Sequence, residues 1–412
     1  MRLLGLQGVR SAVPKPLLLV SLAAFFYTLG NGAVWFVLPI KAEALLKNLM
    51  LVGLIVAVPN AVSLIFDASI GGYSDRVGRK KLFFVGLLVM VFLGLLLPSI
   101  YSLPAFILFM VVFGLANQLI FISGRAYLMD IAPAGKTSSY FGVQEAAAQI
   151  GFAIGPVVAG VIVADSLSIG IQNTGLLYAA LCLVALFCVF LLKETVKTNE
   201  SPLIAVKNLI EKDKILLRSI LDFKQLKSAG LLILVTTFVI TSADGLIWAL
   251  EPLYANRGVD SAAVGVILFM FVLPYILFNV PLGHFADKHG KKKLIVLGLF
   301  LSGVFLILFG YSGSELTMIA TAFIATTGLA CIRPSLGGLL TDLAQNKQKG
   351  GVVGIWDAAE DLGYIIGPLT GGIIAEFYKD ISIPFVFLGI IMLALGVVTL
   401  ILPAIKSNTS VA

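Results

Sequence analysis

A basic turn that occurs twice at one spacing is the sequence feature that most restricts the fold. Residues 71–81 read G-G-Y-S-D-R-V-G-R-K-K, and residues 283–293 read G-H-F-A-D-K-H-G-K-K-K. Both copies fit the pattern G-x-x-x-D-[RK]-x-G-[RK]-K-K, and equivalent residues are 212 positions apart. Each copy lies between two long apolar segments. The repeat therefore predicts a chain built of two related halves.

The composition indicates that these halves lie in a lipid bilayer. Of the 412 residues, 59% are hydrophobic and only 12% are charged, whereas about 25% are charged in an ordinary soluble domain. A membrane span needs about 20 apolar residues. We predict an all-α membrane protein with twelve transmembrane helices in two pseudo-symmetric six-helix halves. The apolar segments run at 17–40, 50–73, 82–101, 104–130, 138–165, 174–192, 229–254, 262–286, 293–312, 315–341, 351–377 and 383–404.

A polar stretch between the sixth and seventh segments marks the boundary between the halves. The predicted domains are an N-terminal six-helix bundle at 1–192, a cytoplasmic linker at 193–228 and a C-terminal bundle at 229–412. Between Leu203 and Leu226 the linker alternates Leu and Ile with charged residues. This pattern fits either an amphipathic helix on the membrane surface or a solvated connection.

The distribution of Lys and Arg predicts the topology. With the N-terminus inside, the inner segments hold 23 of the 29 basic residues and the outer loops hold four. Cytoplasmic loops carry such an excess, so both termini and the linker are expected in the cytoplasm of an integral plasma-membrane protein. The net charge of +7 is then explained by lipid headgroups and topology, and a nucleic-acid partner is not expected.

The repeat extends beyond the basic turns. Asp130 matches Asp342 at an offset of 212, and the fifth and eleventh segments both contain Gly-Pro, at 155–156 and 367–368. At an offset of 213, N-G-x-x-W-x-x-x-P at 31–39 matches D-G-x-x-W-x-x-x-P at 244–252. Two halves of the same orientation are related by an axis along the membrane normal, which is typical of one large transporter architecture.

These patterns resemble the major facilitator superfamily along essentially the whole chain. The turn at 71–81 is similar to that family's best-known signature after the second span, and the turn at 283–293 to its second copy. The pattern G-x-x-x-G-P-x-x-A-G at 151–160 resembles the fifth-span motif of the drug and metabolite exporter branches. The fourth span departs from those branches, because no basic residue lies near Met110, where proton-coupled exporters usually carry an arginine.

The resemblance implies that the two basic turns act as gates. In the family, the aspartate of the turn caps a helix of the opposite half in one conformation, where the helix N-terminus carries about half a positive charge. We expect Asp75 to contact the start of the eleventh span near 350–351. Asp287 is expected to contact the start of the fifth span near 138–139. The alternative is that the turns only set topology.

Ion pairs are expected to complete these gates. Arg76 or Arg79 would pair with Asp130, and Lys291 with Asp342, and the contacts would hold the cytoplasmic side shut until it opens. Glycines at the turns allow close backbone approach where one helix ends and the next begins. The predicted gating residues are Gly71, Asp75, Arg76, Gly78, Arg79, Asp130, Gly283, Asp287, Gly290, Lys291 and Asp342.

Polar residues at membrane depth are the candidate substrate and ion sites, because burying a charge in the bilayer is costly. The resemblance implies that the first, fourth, seventh and tenth spans line a central cavity. Asp244, near mid-depth, is the candidate proton or cation site, since burial disfavours a charged carboxylate. Its counterpart Asn31 cannot titrate. Trp35 and Trp248 lie one turn further out, where each is expected either to stack on a substrate or to lie in an interfacial belt.

Arg333 is predicted to be a buried cation whose counter-ion is Asp361, Asp357 or the substrate. With Glu360, the two aspartates form an acidic cluster on the eleventh span that suits coupling, substrate contact or structural ion pairing. Glu251 is expected near the outer surface in contact with water. The candidate substrate- or ion-binding residues are Asn31, Trp35, Gln118, Asp244, Trp248, Arg333, Asp357 and Asp361.

The predicted function is secondary active transport of a small molecule by alternating access, as proton-coupled efflux of a hydrophobic or amphipathic compound. Proton-coupled uptake of an organic anion or metabolite is the alternative, and a non-transporting sensor or a lipid scramblase is an alternative of another class. No enzyme activity, catalytic residue, metal or cofactor is expected, since G-x-x-x-x-G-K-[ST] is absent and both histidines lie in one basic loop. The expected partners of this monomer are its substrate, a proton and lipid.

Overall fold

The computed structural model describes residues 14–133, 136–164, 166–196, 228–344 and 349–402, although some side chains within these ranges are not described. In these ranges the chain forms twelve α-helices, two short 3₁₀ segments at Leu97–Ser99 and Glu251–Arg257, and no β-strand. The helices are α1 (Lys15–Leu46), α2 (Leu49–Val77), α3 (Arg79–Leu96), α4 (Leu103–Ile131), α5 (Thr137–Val163), α6 (Leu167–Phe190), α7 (Ser228–Leu250), α8 (Ser261–His289), α9 (Lys291–Gly310), α10 (Glu315–Ala344), α11 (Lys349–Tyr378) and α12 (Ile383–Ile401).

The predicted helix count and order are confirmed, with most ends within a few residues of the apolar segments. The largest difference is in α6, which begins at Leu167 instead of residue 174. Its first turns carry Gln172 and Asn173, which are exposed. Because these polar residues interrupt the apolar sequence, the predicted start of α6 was too late.

Eleven of the described helices are long and apolar enough to cross a membrane. The remaining helix is α11, which carries Asp357, Glu360 and Asp361 in its first half. These carboxylates lower its hydropathy, although it packs beside α2 and α7 in the middle of the bundle. The carboxylates that lower the hydropathy of α11 are the acidic cluster that the sequence analysis proposed for coupling, substrate contact or structural ion pairing.

The two halves touch at one end of the bundle through two equivalent crossings. We call this end the far end, and the end that carries Gly78 and Gly290 the basic end. At the far end α2 packs on α11, and α5 packs on α8. A Cβ atom added to any of four glycines would lie 2.5 Å or less from a carbonyl oxygen of the opposite half. The glycine–oxygen pairs are Gly53 with Pro368, Gly265 with Pro156, Gly372 with Leu49 and Gly160 with Ser261.

Polar and aromatic contacts add to this closure of the far end. Arg257 pairs with Glu43 at 2.7 Å, and the backbone N–H of Leu49 donates to Glu376 at 2.8 Å. Trp248 packs against Phe152, with ring centroids 4.7 Å apart. Each of these contacts joins one half to the other. These contacts therefore hold the helical bundle closed at its far end.

Candidate functional site

Four residues of the second half form one polar cluster, which we call the central cluster: Asp244 on α7, Tyr275 on α8, Arg333 on α10 and Tyr364 on α11. Arg333 Nη2 lies 2.5 Å from Asp244 Oδ2 and donates to the Tyr364 hydroxyl at 3.0 Å. The Tyr275 hydroxyl donates to Asp244 Oδ1 at 3.3 Å. The Arg333 guanidinium also lies over the Tyr275 ring, 5.3 Å from its centroid.

A glycine beside the aspartate allows this cluster to form. Gly245 follows Asp244, and a Cβ atom at Gly245 would lie 2.8 Å from Pro368 Cδ and 3.3 Å from Tyr364 Cα. Glycine therefore lets α11 approach α7 closely enough for the Tyr364 hydroxyl to lie 3.4 Å from Asp244 Oδ2. Asp244 therefore supplies the negative charge of the cluster, and Gly245 leaves room for α11 beside it.

The central cluster is charged, compact and partly accessible. The Arg333 side chain is 30% exposed and the Asp244 side chain is 12% exposed. Arg333 Nε is buried without a hydrogen-bond partner among the described residues. Such an ion pair is stable only while both charges remain together. Separation of the pair, for example by a polar ligand, would therefore free the hydrogen-bonding groups of Arg333.

The structure gives Arg333 a counter-ion that the sequence analysis did not name. The sequence suggested Asp361, Asp357 or the substrate, whereas the structure places Asp244 against Arg333. On α11 it is Tyr364 that reaches Arg333. Glu360 lies one helical turn from Tyr364 on the same face, nearer the basic end. Asp357 lies two turns from Tyr364, nearer the basic end, and is exposed.

The candidate residues of the first half are engaged in packing. Asn31 is 4% exposed, and its Oδ1 atom has no hydrogen-bond partner among the described residues. The Gln118 amide donates to the Ser63 hydroxyl, which joins α4 to α2. The structure does not bring Asn31 or Gln118 into the central cluster.

Both candidate tryptophans lie inside the bundle, partly buried against its core. Trp35 packs edge-on against Phe113, with ring centroids 6.0 Å apart. Trp248 packs against Phe152 of the opposite half. Both predicted alternatives, stacking on a substrate and a place in an interfacial belt, stay untested.

The structure forms one of the predicted gate pairs and extends it. Arg79 lies 3.0 Å from Asp130, and the Thr195 hydroxyl donates to Asp130 at 2.6 Å. The sequence analysis missed Glu194, which accepts hydrogen bonds from the backbone N–H groups of Lys80 and Lys81 at 3.3 Å. Glu194 thus caps the start of α3. It follows α6 in the chain, and no local pattern signals a contact with residues more than 100 positions away.

The second basic turn is open in this structure. The Asp287 side chain is 72% exposed and lies 3.8 Å from Lys291 of its own half. The contact that we predicted with the start of α5 is therefore not formed, because the halves approach each other at the far end. Gly71, the Asp75 side chain and the Asp342 side chain lie outside the described residues. Arg76 lies half-buried at the end of α2.

The glycines of the turns differ in their roles. Gly78 and Gly290 have φ angles of 114° and 103°, which strongly favour glycine. Each separates two helices at the basic end. Gly283 lies inside α8, and a Cβ atom there would make an ordinary 3.6 Å contact with Pro334. The expected close approach at Gly283 is therefore not present.

Glu251 differs most from its predicted environment. We expected it to be solvated, yet it is 0% exposed. Both of its carboxylate oxygens lack hydrogen-bond partners among the described residues. Because the 3₁₀ segment Glu251–Arg257 packs against α1 and α8, it covers this side chain. A buried carboxylate at the far end was not visible in the sequence, since a Glu beside a loop is usually exposed.

Metal chemistry finds no support in the part of the chain that the structure describes. No group of three or more His, Cys, Asp or Glu side chains is placed to hold a metal ion there. The cysteines Cys182, Cys188 and Cys331 are buried free thiols.

Twelve helices in two related halves, with an ion pair at mid-depth, define a two-bundle membrane transporter. The sequence model of the Major Facilitator Superfamily matches residues 20–243 and 232–411. The chain belongs to this superfamily, as its signature turns predicted.

Curated relatives include named resistance proteins. Multidrug resistance protein 2 of Bacillus subtilis is 26% identical over 385 residues, which cover 92% of this chain and 93% of that protein. Quinolone resistance protein NorA of Staphylococcus aureus is 29% identical over 180 residues, covering 42% of this chain and 45% of NorA. An MFS-type transporter of Methanocaldococcus jannaschii is 29% identical over 166 residues, covering 40% and 43%. The last two matches span less than half of each relative.

Solved transporters share the fold. The nucleoside transporter NupG has a TM-score of 0.74 at 12% identity, with 93% of this chain and 98% of that chain covered. The xylose transporter XylE from E. coli has a TM-score of 0.70 at 14% identity, with 96% and 99% covered. These transporters carry different substrates, so the shared fold does not identify a substrate.

Proposed function

We propose that this protein is a monomeric, proton-coupled exporter of hydrophobic or amphipathic compounds that works by alternating access in the plasma membrane. The relatives named for multidrug and quinolone resistance support efflux. The excess of Lys and Arg in the loops of the basic end supports a cytoplasmic position for that end. A single chain supplies both halves of the fold, which supports a monomer.

The Asp244–Arg333 pair is the observation that carries this proposal. At mid-depth, the free energy of ionising Asp244 depends on whether Arg333 remains beside it. A proton that binds Asp244 removes the negative charge that attracts Arg333 or a cationic substrate, so proton and substrate compete for the same carboxylate. Each therefore lowers the affinity of the other, which is the requirement for export driven by proton countermovement.

The conformational part of the cycle uses the contacts at the two ends. In the state described here the far end is closed through its glycine crossings and the Arg257–Glu43 pair. Substrate from the cytoplasm would reach the central cluster from the basic end. Closure of that end then brings Asp287 to the start of α5, and opening of the far end separates Gly53 from Pro368.

Proteoliposomes with an imposed pH gradient test this proposal. We expect a fluorescent amphipathic cation to move against its own gradient, together with countermovement of protons reported by an internal pH dye. Asp244→Asn should abolish the proton movement and active accumulation while allowing downhill exchange. Asp380→Asn is the matched control, because Asp380 is an exposed carboxylate in a far-end turn. Unchanged proton coupling in Asp244→Asn contradicts the assigned role.

Uptake of an organic anion is the second candidate, and the unpartnered Nε atom of Arg333 favours it. That N–H is available to a carboxylate or another acceptor. If the substrate is an anion, Arg333→Ala should abolish anion flux and leave cation flux unchanged. A sensor or a lipid scramblase would show no saturable small-molecule flux under either gradient.

A further inference from the structure

Glu251 is a buried acid that the proposed cycle does not yet use. It lies where α7 ends at Leu250 and the 3₁₀ segment Glu251–Arg257 begins. The side chain is 0% exposed, and neither carboxylate oxygen accepts a hydrogen bond among the described residues. An ionised carboxylate without partners is strongly disfavoured in such a place. A neutral carboxylic acid is the form that these surroundings tolerate.

The internal repeat shows that this is a core position. At the offset of 213 that relates Asp244 to Asn31, Glu251 corresponds to Leu38. Leu38 is also 0% exposed. The architecture therefore builds an apolar position at the far end of both halves, and the second half places a titratable group in it. A leucine fits the same position, so packing alone does not require the glutamate.

The surrounding charged groups have other partners. The 3₁₀ segment packs against α1, α7 and α8, and none of the charged groups on these elements hydrogen-bonds to Glu251. Lys41 on α1 donates to the Pro98 carbonyl, Glu43 pairs with Arg257, Asp244 belongs to the central cluster, and Asp260 caps the start of α8. The remaining titratable groups nearby are Tyr254 on the segment, bonded to Ser382, and Tyr275 on α8, bonded to Asp244.

We propose that Glu251 is a second proton-binding site, separate from Asp244, which holds a proton while the far end is closed and releases it when that end opens. Glu251 follows Asp244 by seven residues and stands directly after the end of α7, which places the two about 10 Å apart along the helix axis. The inference rests on the alternating-access part of the proposed function and does not depend on the substrate.

The contacts of the 3₁₀ segment explain how opening exposes this group. Arg257 at the end of the segment is bonded to Glu43 of the first half, and Trp248 one turn inward from Glu251 packs on Phe152 of that half. Separation of the halves at the far end breaks both contacts and admits water to Glu251. The carboxylic acid then transfers its proton to water. The far end can close again only after the ionised carboxylate regains a proton from that side.

Infrared spectroscopy tests the protonation state directly, without any transport assay. Wild-type protein in lipid at neutral pH should show a carboxylic-acid C=O stretch that is lost in both Glu251→Gln and Glu251→Leu. The band should persist in Asp244→Asn, the control for the other site. Because leucine occupies the equivalent position 38, Glu251→Leu should fold if the glutamine variant does not. Identical carboxylic-acid bands in the wild type and both variants would overturn the proposal.

Distance measurements between spin labels test the link to opening. Labels at Tyr101→Cys and Tyr311→Cys, both exposed at the far end, report the separation of the halves in a background without native cysteines. In the wild type the ratio of far-end-open to closed molecules should rise by up to about tenfold per pH unit, as one released proton requires. Glu251→Gln and Glu251→Leu should lose this dependence. Retention of the full dependence in both variants contradicts the proposal, even if transport is proton-coupled through Asp244.

Discussion

The two halves of this transporter are alike where they touch each other and unlike where they carry polar groups. At the far end, Gly53 against Pro368 and Gly265 against Pro156 are the same contact made twice, with all residues related by the 212-residue repeat. At mid-depth the second half has an ion pair, and the first half has none among the corresponding residues. The two halves therefore share the contacts that join them and differ in the polar residues at mid-depth.

Equivalent positions show how the asymmetry arises. Three of the four residues of the central cluster, and Glu251, have counterparts in the first half that carry neither a charge nor a hydroxyl group. The pairs are Asp244 with Asn31, Glu251 with Leu38, Arg333 with Phe121 and Tyr364 with Phe152. The backbone differs at one of these pairs, because Leu38 lies within α1 and Glu251 in the 3₁₀ segment that follows α7.

Removal of the aspartate should have the largest effect on stability. Asp244→Ala leaves the Arg333 charge without its partner, which we expect to cost about 2 to 3 kcal/mol, below the full value for a buried pair because Arg333 is partly exposed. Asn31→Ala, at the equivalent position, should cost no more than about 1 kcal/mol because it breaks no observed hydrogen bond. Equilibrium unfolding in bicelles measures both. Equal losses would contradict the asymmetry of the halves.

A methyl group at a far-end crossing should shift the conformational equilibrium. In Gly53→Ala the added Cβ meets the Pro368 carbonyl oxygen, which should destabilise the closed far end by about 1 to 3 kcal/mol. Gly265→Ala should act equally if the crossings are equivalent. Gly142→Ala is the control, since nothing lies within 4 Å of its Cβ position. Spin-label distances at the far end report the population, and different shifts for Gly53→Ala and Gly265→Ala would refute the equivalence.

The Arg257–Glu43 pair should have the smallest effect. Arg257 is 36% exposed, and a solvent-exposed ion pair contributes at most about 1 kcal/mol. Arg257→Ala should therefore open the far end only slightly, and less so at high salt because added ions screen the pair. A shift larger than that of Gly53→Ala would show that polar contacts dominate the closure.

Most of the architecture was accessible from the sequence. Apolar runs of membrane length predicted twelve helices in the observed order, since the bilayer fixes the length of a span. The repeated turn predicted two halves, and the glycines at 78 and 290 lie where a positive φ angle is needed. The pairing of Arg79 with Asp130 was also anticipated, because both belong to the repeated motif.

The sequence by itself determined which polar residues lie at membrane depth, because a charged residue within an apolar run is carried to that depth by the helix around it. Only the tertiary structure decided how they pair. Arg333 on α10 lies against Asp244 on α7, and Tyr364 joins this pair because Gly245 lets α11 pack closely on α7. Glu251 is buried because the 3₁₀ segment packs against α1 and α8. Both depend on contacts between helices far apart in the chain, which hydropathy along a single helix does not report.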